Sequence, residues 1–172
     1  MKIISGETIE KVSDLVDNAK ESFIEKTIED FAEQQPYLFA FLIPNAGEEE
    51  QEEGDYTEDE SELLLYLGIK VWLSFKEQGF EIERVEEDDL IETERKNEQM
   101  LDFLGEEDED EVSSHFANIL DNHTQPELMQ FIAYSCLDVE YEEELDIDEE
   151  SRLALFIDLK IFLEAILSKI VK

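Results

Sequence analysis

Two stretches of this 172-residue chain, 63–75 and 153–167, are apolar around nearly every side of a helix, and they stand in one register 90 residues apart. A helix of that kind is stable in water only when neighbours cover it on all sides. The register is fixed by Gln35-Pro36 and Gln125-Pro126, 125 less 35, and no gap is needed over the residues that follow. Leu38, Phe41 and Leu42 meet Leu128, Phe131 and Ile132; Leu63, Leu65, Lys70, Trp72 and Leu73 meet Leu153, Leu155, Lys160, Phe162 and Leu163. Apolar matches are common between any two buried helices. A shared Gln-Pro and a lysine at the same point of each apolar helix are not. Two units that each need cover for a central helix can supply it to one another, the logic of stacked helical repeats. The sequence therefore predicts an all-α fold: a compact bundle of about 6–7 helices, one domain over 1–172, built from two similar units of about 1–80 and 85–172 with pseudo-two-fold symmetry.

The individual helices follow from spacing. Ile9, Val12, Val16, Ala19, Phe23, Ile24, Ile28 and Phe31 recur at three and four and predict one long helix over about 7–34, capped by Ser5 or Thr8. Pro36 opens a short helix that ends at Pro44-Asn45. Thr57 and Glu60 are spaced as a capping box for a helix over about 58–78, ended by Gly79. Further helices are predicted over 89–104, 110–122, 128–137 and 149–171, with a second capping box at Thr124 and Glu127. The acidic stretches 45–58, 105–111 and 138–148 read as loops, and 48–60 and 106–111 are expected to be exposed and mobile.

The charge bounds the partners. The chain has 49 Asp and Glu against 13 Lys and Arg, a formal net charge of −36. Self-repulsion on this scale opposes compaction and is screened within about 8 Å at physiological ionic strength. Nucleic-acid phosphates and anionic membrane surfaces are disfavoured partners. A basic protein, a polyamine or a divalent cation is the complementary one, and a homo-oligomer remains compatible with the composition. Acidic tracts beside two buried helices also fit mimicry of a polyanion that captures a nucleic-acid-binding protein. The apolar fraction of 42% and eleven Phe are enough for a core, so the charge does not imply disorder. The N-terminal MKIISGETIEK lacks the apolar run of a signal peptide, and charged residues interrupt both apolar stretches well short of a membrane span. The expected location is cytoplasmic.

Chemistry-bearing residues are few. His115 and His123 lie eight apart, roughly 12 Å along a helix, too far to share one metal ion, and each is expected at the surface or at a cap. Cys136, the only cysteine, sits in an apolar stretch and is expected to be buried packing. Trp72 is expected in the core. Asp146-Ile147-Asp148-Glu149-Glu150 resembles the start of a calcium loop but lacks its glycine and closing Glu. Glu7-Thr8-Ile9-Glu10 resembles half of the E-x-x-E and E-x-x-D pattern of the all-α nucleotide pyrophosphatases, which implies a divalent-metal-dependent hydrolase as the alternative function. The leading expectation is a non-enzymatic acidic helical protein acting through protein–protein contacts, with a basic partner. It assigns no catalytic, cofactor-binding or metal-binding residue, and no cofactor.

Overall fold

In the computed structural model, residues 1–44, 56–105, 108–137 and 147–172 are described, and among them the regular elements are all helices, with no strand. Eight helices follow in order: α1 (Gly6–Asp17), α2 (Glu21–Gln34), α3 (Pro36–Leu42), α4 (Glu58–Glu77), α5 (Glu87–Gly105), α6 (Glu109–Asn122), α7 (Pro126–Leu137) and α8 (Glu149–Ser168). Among the described residues, no helix is long and apolar enough to cross a membrane.

Eight replaces the expected six or seven because the predicted helix over 7–34 is two. Ser5 caps α1 by accepting from the Thr8 amide, and α1 ends where the Asn18 side chain bonds back to the Asp14 carbonyl. Lys20 is extended and opens α2. The apolar stripe spans the break, but its parts face different neighbours. Ile9, Val12 and Val16 pack α1 on α4, whereas Phe31 packs α2 into the core beside α3. One straight helix cannot serve both, and Phe23, placed on the stripe by spacing, is 39% exposed.

α3 and α7 both begin at a proline, which loses nothing there because the first helical N–H groups have no intrahelical partner. The second expected capping box does not form: α7 starts at Pro126, after Gln125, and Thr124 and Glu127 are both exposed. The first one does: Thr57 Oγ1 accepts from the Glu60 amide while Glu60 Oε2 accepts from the Thr57 amide. Glu60 is thereby 4% exposed, not part of an exposed loop. The acidic run at 106–111 is shortened likewise, since Asp108 caps α6 and Glu109–Glu111 form its first turn. The expected loop positions 45–55, 106–107 and 138–146 lie outside the described residues. Beyond α4, Gly79 has φ +82°, and the Phe80 amide reaches back to the Phe75 carbonyl. That left-handed cap suits glycine. α8 ends at Ser168, short of the predicted 171, because Lys169–Val171 pair instead with Glu81–Glu83 around an antiparallel bridge of Ile82 and Ile170.

The core is organised by α4 and α8. α4 packs on α1, α3, α7 and α8, and α8 packs on α4, α5 and α7. Phe31 of α2 joins the halves, its ring 5.1 Å from Trp72 of α4 and 6.2 Å from Phe162 of α8. One cluster of buried side chains runs from Ile4 to Ile166 and draws on both halves. Gly68 lets α3 press on α4, for a Cβ there would stand 2.5 Å from a Leu42 methyl.

Candidate functional site

The apolar register of α4 and α8 carries one charged position, and both copies are inside. Lys70 is 2% exposed and Lys160 6%. Burying an ammonium group is unfavourable unless it is paired and hydrogen-bonded. Lys70 meets Asp17 at the end of α1, Nζ to Oδ1 2.9 Å, and lies over the Tyr66 ring at 4.2 Å. Lys160 reaches α5 instead. Its Nζ donates to Asn97 Oδ1 at 2.8 Å and to Glu164 Oε1 at 2.5 Å.

The second lysine heads the largest buried polar network described. Asn97, 2% exposed, donates from Nδ2 to Glu164 Oε2 at 2.8 Å and to the Thr93 carbonyl at 2.9 Å. His123, at the end of α6, brings Nε2 within 3.6 Å of Glu164 Oε1. Its Nδ1 accepts from the Gln125 amide at 3.0 Å. A backbone N–H only donates, so Nδ1 carries no proton and the ring hydrogen sits on Nε2, toward Glu164. Burial pushes the Glu164 carboxyl up, but hydrogen bonds from His123, Lys160 and Asn97 and the Lys160 charge outweigh it and hold the group at about 2. Glu164 is a permanent anion near neutrality, a counter-ion rather than an acid or base.

The network ends in a clamp with a counterpart elsewhere. Gln125 is fully buried; its Oε1 accepts from the Ile4 amide at 2.8 Å and its Nε2 donates to the Lys2 carbonyl at 2.9 Å. Gln35, 1% exposed, accepts from the Val85 amide at 2.9 Å and donates to the Glu83 carbonyl at 3.1 Å. Each glutamine grips backbone groups two residues apart in the segment that leads into the first helix of the other half. Ile4 and Val85, the gripped residues, are both 0% exposed.

A different acidic group lies nearby on α8. Tyr56 donates to Asp158 Oδ2 at 2.5 Å. Burial raises the Asp158 carboxyl despite that hydrogen bond, and burial together with the charges of Asp158 and Glu98 raises Glu94 on α5. Burial and the Asp158 charge raise the Tyr56 phenol as well.

These opposed shifts set the pH dependence. Glu164 titrates in the fold at about 2 against an ordinary 4.5, so its stabilisation is complete above 4.5 and lost as pH falls toward 2. Asp158 and Glu94, raised in the fold, act in the other direction: their stabilisation belongs to the protonated forms and is lost as pH rises through the folded values. In urea unfolding, wild type should lose about 1–2 kcal/mol more than Glu164→Gln between about pH 5 and pH 3. Equal losses would remove Glu164 from the network's electrostatics.

Of the residues singled out from the sequence, His123 joins this network and the others fall elsewhere. His115 lies within α6, Nδ1 3.1 Å from the Glu111 carbonyl. His123 is at a cap but not at the surface, its side chain only 10% exposed. Cys136 is buried in α7, and Trp72 is 4% exposed in the core. Asp148 caps α8 by accepting from the Ser151 amide, and Glu149 and Glu150 are its first turn; Asp146 lies outside the described residues. Glu10 is exposed on α1, and Glu7 borders a cleft of about 320 Å³ shared with Lys2, Thr8, Lys11, Glu77 and Gln78. In it Lys11 pairs with Glu77, and Thr8 Oγ1 donates to Gln78 Oε1 at 2.6 Å. Among the described residues, no three His, Cys, Asp or Glu side chains come together so as to hold a metal ion. Sequence reasoning missed Asn97, Glu164 and the grip of the two glutamines; only the matched lysines and the repeated Gln-Pro pointed toward them. No protein-family model, curated protein or solved structure matches the chain.

Proposed function

We propose that this is a non-enzymatic acidic helical protein that acts through protein–protein contacts with a basic partner. The observation that carries the reading is where the cations lie. Of 13 Lys and Arg, Lys70, Arg152 and Lys160 are buried. Lys11, Lys26, Lys96 and Lys169 are each paired with a carboxylate. The outside therefore keeps the acidic excess of the composition. Such a surface steers a cationic partner and repels an anionic one.

A Lys/Arg-rich peptide of about 20 residues, the span of one side of an ordinary interface, serves as the probe. It should bind saturably at one stoichiometry and shift a localised set of amide resonances at about 20 mM NaCl, and be released by about 0.5 M NaCl. A peptide with Gln for every Lys and Arg should not bind. Absence of binding at low salt, or shifts spread evenly over the surface, would overturn the reading.

The reading includes two copies of one four-helix unit related by a pseudo-two-fold axis. What supports it is the gapless register, the inward lysine in each half and the pair of glutamines that each hold the other half's leading segment.

A further inference from the structure

We propose that His123 is a proton-operated latch on the N-terminal segment. The latch is a chain of contacts already described. The neutral ring accepts the Gln125 amide at Nδ1. That bond fixes the residue ahead of α7, and the Gln125 side chain grips Lys2 and Ile4. The ring's one hydrogen is already committed to Nε2, facing Glu164.

A second proton has only Nδ1 to occupy. There it meets the Gln125 N–H, and two donors at 3.0 Å repel. The ring must turn away or the turn between α6 and α7 must move, and in either case a backbone N–H at a fully buried residue loses its acceptor. The charged groups against the ring come from α8: Glu164, and Lys160 through it. Asn97 of α5 and Gln125 are neutral. Asp121 on α6 and Glu127 on α7 are nearby in sequence and exposed. None of Glu164, Asp121 and Glu127 is hydrogen-bonded to Nδ1 in the present arrangement. Acidification therefore releases the grip on Ile4, while the Gln35 grip on Val85, which contains no histidine, stays closed.

The test is amide hydrogen exchange at Ile4 and Val85, corrected for the intrinsic pH dependence, in the full chain. From about pH 7.5 to pH 5.5, Ile4 exchange should speed up roughly tenfold, as expected for loss of one buried hydrogen bond, and Val85 should hold constant. His123→Asn keeps an acceptor near the Nδ1 position and has no proton to gain, so its Ile4 rate should be flat. His115→Gln should follow wild type. Ring nitrogen shifts of wild type at about pH 7.5 give an independent reading and should show the Nε2–H form. A flat wild-type Ile4 rate, a His123→Asn rate that still rises, equal acceleration at Val85, or an Nδ1–H ring would each overturn the latch.

Discussion

Trp72→Ala should destabilise the fold by about 3–5 kcal/mol, the range for removing a large aromatic side chain from a packed core. The ring is 4% exposed and sits 5.1 Å from Phe31, which in turn reaches Phe162. The substitution thus opens a cavity where α2, α4 and α8 converge, where collapse of one neighbour pulls on another. In a chain of this length the melting temperature should fall by roughly 10 °C. Phe162→Ala should cost a similar amount and combine non-additively with Trp72→Ala, since the two rings share Phe31. A loss under about 1 kcal/mol for Trp72→Ala would mean that the ring contributes little to the core.

The second large effect belongs to the glutamines. Gln35→Ala and Gln125→Ala should each cost about 2–4 kcal/mol in urea unfolding, because each leaves a backbone N–H and a backbone carbonyl without their partner. The side chains they remove are at most 1% exposed, so the space left offers water little access. The variants should also differ in place: Gln125→Ala loosens Ile4, and Gln35→Ala loosens Val85. Loosening of both sites by either variant would mean that the grips are not separate devices.

Much of the architecture was legible because apolar periodicity reports burial directly. The all-round apolar pattern of 63–75 and 153–167 identified the two central helices, and Thr57 with Glu60 located the start of α4. The break at Asn18–Lys20 was not legible. Spacing records that Val16, Ala19 and Phe23 are compatible with one stripe, and says nothing about which neighbour each must face. The acidic neighbours of Glu60 make it look exposed, although its capping role predicts the hydrogen bond that lets it be buried. The polar network was hidden for a related reason. Asn97, His123 and Glu164 are far apart in sequence, and each is an ordinary surface residue type. Lys160 was the visible member, marked by being charged at a position where its register partner Lys70 is also charged.

The grip of Gln125 on Ile4 also orders events during synthesis. The two residues are 121 apart, so the N-terminal segment cannot be closed until α7 has been made. At about 5–20 residues per second the interval is roughly 6–24 s. From the completion of α4 at residue 77 until α8 has been made, the face of α4 that α8 covers is open to water. The nascent first half is thus an aggregation-prone intermediate whose lifetime is set by the ribosome, and slow codons between residues 80 and 125 should lengthen its exposure rather than give it time to fold.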